Sequence, residues 1–390
     1  MKQFYKNASF FEHVYQYHGL IPGVLRPLIA SNLVKLQSPD PNTHRLPYKL
    51  IYFVTNRCNM TCPHCFYGRE LNTDTDELRV SEVKTLAASL NREVAHLIIT
   101  GGEPFMRQDL AEILKIFHFA GGVQNITINT NGTGPGRIAE CIAKLIRETD
   151  LVFNFQVSLD GLEQQHNEIR GLPKAFEWAT GCIEELKALR KQSPGRIQWI
   201  QIVTCFSKSN FRSVEEIVRL VQGIDGVKHA FTMTRSSTDN TYGVDDEGML
   251  SGLDPLGDVM MTPDEVKWTY EKLEELVWKK FPYDLFYRVN REVHRSAMQI
   301  TERKQRIFPC MAGYVDLVVY PNGDVARCEM LKPIGNLRET NCDLRAFLET
   351  RKARDFFAAT TRCACTHDCN ILSSIKQDEK AMTSLLSPLR

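Results

Sequence analysis

Residues 48–65 read YKLIYFVTNRCNMTCPHC and join a strand-like run to three closely spaced cysteines. The run YKLIYFVT has the apolar, β-branched and aromatic composition of a buried strand. Cys58, Cys62 and Cys65 follow it in a polar loop, with three and then two residues between them. Three thiolates can converge on one metal centre, and three ligands leave a metal position open to an exogenous chelator. The segment therefore predicts a metal centre at the end of a first strand.

The same alternation of short apolar runs with longer amphipathic segments continues to about residue 235 and predicts repeated βα units. Five further strands are predicted over residues 95–100, 125–130, 151–159, 197–206 and 228–234. Helical periodicity lies between most of them, and Ser81 and Ser213 are candidate N-caps. We predict an α/β fold, a partial (β/α)6 TIM-like barrel, with a small Cys-rich α+β extension at the C-terminal end. Ligands collect at the carboxyl ends of the strands in such folds.

Composition excludes several classes of function. The chain of 390 residues is 43% hydrophobic, and 48 basic against 47 acidic side chains give a net charge of +1. Such a balance predicts no nucleic-acid partner. No stretch is long and apolar enough to predict a transmembrane segment, and the N-terminal residues lack a secretory signal. We therefore expect a cytoplasmic protein, where the twelve cysteines act as metal ligands or catalytic groups more often than as disulfides.

Gly101, Gly102, Glu103 and Pro104 directly follow the second predicted strand, AHLIIT. Two glycines let the backbone approach a ligand closely, and a carboxylate can accept hydrogen bonds from an ammonium group. Taken alone, this tetrapeptide is also consistent with an ordinary turn between a strand and a helix. Its position one strand after the cysteine motif makes it a more specific indication of a ligand site.

A third motif lies at the end of the fourth predicted strand. The segment VSLDG contains Ser158 and Asp160, and Arg170 follows in HNEIRG. An arginine can bind a carboxylate with two parallel hydrogen bonds, and a solvated loop position is the alternative for Ser158 or Arg170. Asn129 and Asn131, in the NTNG sequence that ends the third strand, are placed at the same rim, where turn chemistry also accounts for them.

The order CxxxCxxC, GGEP and SLDG at successive strand ends resembles the radical S-adenosylmethionine (SAM) superfamily, and the fold it implies is the partial barrel of that superfamily. The resemblance implies a [4Fe–4S] cluster on Cys58, Cys62 and Cys65, with SAM chelating the open iron. It places the GGEP residues and Asp160 at the cofactor, Ser158 near the SAM ribose and Arg170 at the SAM carboxylate. It further implies reductive cleavage of SAM to a 5′-deoxyadenosyl radical that abstracts hydrogen from a substrate, with flavodoxin or ferredoxin as a reducing partner.

A second group of cysteines lies near the C-terminal end. Cys310 and Cys328 bracket a predicted hairpin with Asn322 and Gly323 at its turn. Further thiols come from Cys363, Cys365 and Cys369 in CACTHDC. The spacing resembles the SPASM and twitch extensions of radical SAM enzymes, which carry auxiliary clusters, but the series is shorter than the full SPASM pattern. The resemblance implies one auxiliary [4Fe–4S] cluster, and a structural zinc, with His367 as a ligand, remains an alternative.

These patterns predict three parts of the chain. Residues 1–45 form an N-terminal helical extension, 46–281 the radical SAM core, and 308–390 the SPASM/twitch-like auxiliary domain. Residues 236–262 are polar and Gly-rich, and a substrate lid and a disordered loop are equally consistent with them. The apolar segments before residue 45 either pack on the barrel or contact a membrane surface or lipid.

The sequence leaves the substrate open. A ribosomally made peptide is one hypothesis, because many SPASM proteins modify peptides, and a small molecule or lipid precursor is the second. A third hypothesis is a non-enzymatic iron–sulfur or zinc-stabilised binding protein, in which the cysteines only hold the fold together. The sequence marks no additional catalytic acid or base. Cys141, Cys182 and Cys205 lie singly in apolar surroundings and are interpreted as small buried hydrophobic side chains.

Overall fold

The computed structural model describes residues 46–234, 259–358, 364 and 366–386. Their centre is a nine-stranded sheet in the order β6-β5-β4-β3-β2-β1-β7-β8-β9. The strands are β1 Lys49–Thr55, β2 His96–Gly101, β3 Asn125–Thr130, β4 Val152–Ser158, β5 Ile197–Phe206, β6 Lys228–Met233, β7 Asp316–Val319, β8 Asp324–Ala326 and β9 Gly335–Asn336.

Strands β1 to β6 are parallel neighbours in chain order and form an open sheet. The connecting helices are α1 Val80–Ser89, α2 Leu110–Phe119, α3 Pro135–Glu148, α4 Glu163–Arg170, α5 Ala175–Gln192 and α6 Val214–Gln222. The predicted partial (β/α)6 barrel is thus confirmed. Ser81 is not an N-cap, because α1 begins after Arg79 and Ser81 lies inside the helix. Ser213 is at the N-cap position of α6, but its hydroxyl does not cap the helix.

The two faces of the parallel sheet differ in composition. Alternate residues such as Ile126, Phe153 and Ile200 have no exposed surface and pack with the helices in the main core. Burying one such side chain stabilises the fold by roughly 1.5–3 kcal/mol. Because successive side chains of a strand point to opposite faces, the intervening residues line the other side of the sheet. We call that side the inner face.

The C-terminal region continues the same sheet. Strand β7 pairs in parallel with β1, and β7 and β8 form the predicted antiparallel hairpin, with Gly323 at a φ of 88° in its turn. The later helices are α7 Pro263–Leu273, a π-helical turn Glu274–Trp278, α8 Leu285–Arg303, α9 Leu344–Glu349, α10 Arg351–Ala358, α11 Asp368–Ile375 and α12 Glu379–Leu386. Helices α8, α11 and α12 share an apolar cluster of their own. The predicted domain limits at 281 and 308 stay a prediction, and α8 spans most of that interval.

Several predictions fall outside the described residues. These are the N-terminal extension over 1–45, most of the loop over 236–262, and the thiols of Cys363 and Cys365. Within the described parts of the chain, no helix is long and apolar enough to cross a membrane.

Candidate active site

The three N-terminal cysteines lie in residues 56–78, between β1 and α1, which we call the cysteine loop. Asparagine side chains organise its backbone. Asn56 donates from Nδ2 to the carbonyl oxygens of Glu70 and Thr73, each at 2.9 Å. The side chain of Asn72 both accepts from the Cys58 amide and donates to its carbonyl oxygen, each at 3.0 Å. The Asn72 side chain therefore fixes the backbone of Cys58, and neither asparagine was singled out from the sequence.

The GGEP turn is pressed against the start of the cysteine loop. The amides of Gly102 and Glu103 donate to the carbonyl oxygens of Thr55 and Arg57, both at 2.8 Å. A Cβ atom added to Gly102 would lie 2.1 Å from the Arg57 carbonyl oxygen, and one added to Gly101 would lie 2.3 Å from that of Thr55. The two glycines are thus needed for a close approach of protein backbone to the cysteine loop.

The Glu103 carboxylate is 1% exposed and ties the end of β2 to the end of β3. It accepts from the Thr130 hydroxyl at 2.8 Å, the Asn131 amide at 2.7 Å and the Phe105 amide at 3.2 Å. Burial outweighs these hydrogen bonds and raises the pKa of Glu103 to about 7. Pro104 is buried as the first residue of a short 3-10 turn. The predicted contact of Glu103 with the SAM ammonium group stays a prediction.

The end of β3 also holds the cysteine loop. Asn131 donates from Nδ2 to Asn59 Oδ1 at 3.1 Å, and Asn59 donates in turn to the Thr133 hydroxyl at 3.0 Å. Asn131, predicted at the active-site rim, therefore contacts the loop that carries the cysteines.

The third motif contacts the cysteine loop through the end of α4. The Thr61 amide donates to the Arg170 carbonyl oxygen at 3.2 Å. Gly171 follows with a φ of 67°, and a Cβ atom there would lie 2.2 Å from the Thr61 hydroxyl. The guanidinium of Arg170 points at the first motif, with Nη1 3.7 Å from Cys62 Sγ. The SLDG–Arg170 segment thus lies against the cysteine loop itself.

Asp160 orients Arg170 and is completely buried. Its Oδ2 is 2.5 Å from Arg170 Nη2 and 3.7 Å from His64 Nε2, while Oδ1 accepts from the Cys205 amide at 2.9 Å. Burial opposes ionisation of Asp160, but Arg170 and then His64 lower its pKa below the ordinary value. Burial lowers the pKa of His64 to about 4, so this imidazole is neutral at neutral pH. Arg170, paired with Asp160, is therefore the cationic side chain next to Cys62 in this group.

The three thiols share one partly buried location. The Cys65 amide donates to the Cys62 carbonyl oxygen at 3.1 Å, and all three cysteines are half-buried. Burial raises the pKa values of Cys58 and Cys65 to about 11, and a bound metal would reverse this because metal-bound thiols are deprotonated. Among the described residues no three His, Cys, Asp or Glu side chains are gathered tightly enough for a single metal ion. An iron–sulfur cubane is larger, and three thiols beside a buried cation suit it.

Neutral polar side chains cross the inner face next to this site. Asn129, Gln156 and Gln201 occupy the same level of β3, β4 and β5. Asn129 also donates from Nδ2 to the Thr100 hydroxyl on β2 at 3.4 Å. We call Thr100, Asn129, Gln156 and Gln201 the amide row. Its members are about 4.8 Å apart from strand to strand. Asn154, one level below, is 1% exposed, and neither of its amide atoms has a hydrogen-bond partner among the described residues.

Only Asn129 of the amide row was predicted from the sequence. The signal for Gln156 was the placing of polar residues at every second position in FNFQVS, as in NITINT. This alternation predicts a strand with one polar face. Ser158 lies on the same face at the end of β4 and is half-buried, so the predicted SAM-binding residue borders the row.

The C-terminal cysteines are brought together in part. Cys310 packs against a small apolar cluster that contains Cys328, Met330 and Leu331. Cys369 is the second residue of α11. Cys342 lies elsewhere, 2% exposed, with its Sγ 3.9 Å from Glu82 Oε1 beside α1.

His367 is 1% exposed and both of its ring nitrogens have protein partners. Nε2 is 2.6 Å from Glu329 Oε2, and Nδ1 accepts from the Asn370 amide at 3.3 Å. A metal-binding imidazole needs a free lone pair. This arrangement therefore does not support the zinc alternative that uses His367.

Comparison with known proteins agrees with this geometry. Residues 52–221 match the model of the Radical SAM superfamily. Residues 52–221 therefore form a radical SAM domain, as the sequence motifs predicted, and members of that superfamily use a [4Fe–4S] cluster and SAM.

Among similar curated proteins is the AdoMet-dependent heme synthase of Methanosarcina barkeri, which is 29% identical over 47% of this chain and 49% of its own length. The mycofactocin maturase MftC of Mycobacterium tuberculosis is 26% identical over 72% of this chain and 64% of its own length. The chain thus spans less than two thirds of the length of these relatives.

Solved structures share the fold. The enzyme anSMEcpe with bound AdoMet has a TM-score of 0.57 and 16% identity, covering 80% of this chain and 82% of its own. Streptococcus suis SuiB bound to the precursor peptide SuiA has a TM-score of 0.54 and 14% identity. The match covers 84% of this chain and 71% of the SuiB chain.

Proposed function

We propose that this protein is a radical SAM enzyme in which Cys58, Cys62 and Cys65 hold the [4Fe–4S] cluster that binds SAM. The observation that carries the proposal is the fixation of the cysteine loop from three sides, by the ends of β2, β3 and α4. When reduced, such a cluster would supply the electron for cleavage of the C5′–S bond of SAM to methionine and a 5′-deoxyadenosyl radical, the species that would take a hydrogen atom from the substrate.

The chain's own residues would position these groups and exclude water. Gly101 and Gly102 hold the cysteine loop, and Glu103 and Pro104 fix the turn beside it. Ser158 would meet SAM from the inner face, and Asp160 would keep Arg170 oriented through their ion pair. A flavodoxin- or ferredoxin-like protein would supply the electron, consistent with a cytoplasmic location.

We further propose one auxiliary [4Fe–4S] cluster in the C-terminal region. Its ligands would be drawn from Cys310, Cys328, Cys363, Cys365 and Cys369. The shared location of Cys310 and Cys328, and the occupation of both nitrogens of His367, favour thiolate ligation over a zinc site with histidine.

The substrate class that the inner face favours is a peptide. Asn129, Gln156 and Gln201 each offer an amide donor and an amide acceptor, which match the groups of a peptide backbone. An apolar lipid chain would leave these side chains unpaired, at a cost of about 1–3 kcal/mol for each buried group. The similar structures of anSMEcpe and SuiB were solved with peptides bound, while the heme synthase relative supports a small molecule as the second candidate.

The first experiment tests the radical reaction. The protein is reconstituted anaerobically with iron and sulfide and reduced with dithionite in the presence of SAM, and 5′-deoxyadenosine is measured. We expect product from the wild type and from Cys141→Ala, and none from the Cys58, Cys62, Cys65 triple-Ala variant. A cluster-bearing wild type that leaves SAM intact would support the binding-protein hypothesis instead.

The second experiment separates the substrate candidates. Cell extract is divided by size into a peptide fraction and a low-molecular-mass fraction, and each is tested for stimulation of 5′-deoxyadenosine formation. We expect the peptide fraction to stimulate, and Gln156→Leu to remove the stimulation while it leaves the unstimulated rate unchanged. Stimulation by the low-molecular-mass fraction alone would favour the small-molecule candidate.

A further inference from the structure

The guanidinium of Arg170 lies between a buried carboxylate and a thiol of the cysteine loop. Nη2 is 2.5 Å from Asp160 Oδ2, and Nη1 is 3.7 Å from Cys62 Sγ. The side chain of Arg170 is 11% exposed and that of Asp160 is fully buried. The pair cannot be an exposed ion pair in which solvent competes for each partner.

The backbone around Arg170 fixes the direction of this side chain. The Arg170 carbonyl oxygen accepts from Thr61, next to Cys62 in sequence, and Gly171 turns away with a φ of 67°. Asp160 is held in turn, because its backbone carbonyl accepts from Asn210 Nδ2 at 2.7 Å and its amide donates to His166 Nδ1 at 2.9 Å. Protein contacts therefore anchor both ends of the Asp160–Arg170 pair.

We infer that Arg170 is a positioning residue that raises the reduction potential of the cluster through a charged N–H···S hydrogen bond to Cys62. The inference rests on the proposed function, in which Cys62 is an iron ligand. Hydrogen bonds to cluster sulfurs and nearby positive charge stabilise the more negative, reduced state. Because Asp160 offsets part of the positive charge of Arg170, the N–H···S hydrogen bond carries most of the effect, and the low dielectric around the buried guanidinium strengthens that bond.

This role differs from the SAM carboxylate contact that the family resemblance implies. Nη1 and Nη2 already serve Cys62 and Asp160, and Nε is buried without a hydrogen-bond partner among the described residues. A two-pronged grip on a carboxylate uses two N–H groups on one edge of the guanidinium. Here Nη2 faces Asp160 and Nη1 faces Cys62, so each edge of the guanidinium already includes one of these single contacts.

The test is a potentiometric titration of the reconstituted protein without SAM, followed by EPR of the reduced cluster. We expect Arg170→Met to lower the midpoint potential. A charge-assisted hydrogen bond supports about a tenfold change in the ratio of reduced to oxidised cluster, which is about 59 mV for a one-electron couple. Arg170→Lys keeps the charge and should recover part of the shift.

Arg57→Met is the matched control, because Arg57 adjoins Cys58 but its side chain is exposed and its contacts to Glu103 use only the backbone. The midpoint potential of Arg57→Met should differ much less from that of the wild type. SAM affinity is measured for the same variants. An unchanged potential in Arg170→Met together with lost SAM binding would overturn the inference and assign Arg170 to SAM.

Two further outcomes are decisive. If Arg170→Met does not retain its cluster, Arg170→Lys decides, since an unchanged potential in that variant with weakened SAM binding would contradict the inference. A wild-type protein that forms no cluster in reconstitution would instead reject the proposed function, before any potential is measured.

Discussion

The two cysteine groups of this protein are held by different physical means. The cysteine loop follows one strand and is fixed by the elements beside it, through backbone hydrogen bonds with Glu103 and Arg170 and a side-chain hydrogen bond from Asn131. The C-terminal thiols of Cys310 and Cys328 are brought together by a hairpin and an apolar cluster. At the cysteine loop, the backbone of Gly102 leaves no space for an added Cβ atom. At the hairpin, the position of the thiols depends on the packing of apolar side chains. The cysteine loop should therefore be the more sensitive to changes outside its own sequence.

Gly102→Ala should have the largest effect, because its Cβ atom would overlap the Arg57 carbonyl oxygen. We expect a loss of about 2 kcal/mol in the free energy of unfolding and loss of the reconstituted cluster. Urea unfolding and iron analysis measure both. Gly136→Ala is the control, since nothing lies within 4 Å of its added Cβ atom. Normal cluster content in Gly102→Ala would show that the backbone contacts do not position the cysteines.

Exchange of the hairpin cysteines separates the two groups. The Cys310→Ser, Cys328→Ser double variant should lose the auxiliary iron and yet still cleave SAM, because the cysteine loop is held without the hairpin thiols. Iron content and 5′-deoxyadenosine formation are measured together. Full iron content in this variant would remove both residues from the proposed auxiliary ligands.

Glu103 should make the free energy of unfolding of the protein depend on pH. The folded-state pKa of Glu103 is about 7, above its ordinary value of 4.5, so the folded state binds more protons than the unfolded state between these values. This contribution to stability is present below pH 4.5 and is lost as the pH rises towards 7. Urea unfolding of the cluster-free protein across this range should show the decline, and Glu103→Gln should flatten it. An equal slope in both proteins would contradict the raised pKa.

Cys342→Ala should have the smallest effect. Cys342 lies beside Glu82, away from both cysteine groups, and is buried. We expect unchanged iron content and a loss of about 1 kcal/mol or less from the small cavity. The iron content of Cys342→Ala is compared with that of the Cys310→Ser, Cys328→Ser variant. An equal loss of iron in the two proteins would identify Cys342 as a ligand of the auxiliary cluster.

The sequence was most informative where structure is encoded locally. The apolar alternation of AHLIIT and NITINT predicted β2 and β3, and Asn322–Gly323 predicted the β7–β8 hairpin. The sequence was less informative at helix ends. Ser81 was wrongly predicted as an N-cap, because several polar residues near the start of a helix fit the N-cap pattern.

The sequence by itself determined the order of strands and helices, the superfamily, and the three motifs that converge on the cysteine loop. Only the tertiary structure decided that β7 joins β1, that Cys342 leaves the C-terminal group, and that Arg170 lies against Cys62. The physical reason is distance along the chain. Periodicity and turn chemistry act over a few residues, whereas Arg170 and Cys62 are 108 residues apart and meet only through the register of a parallel sheet.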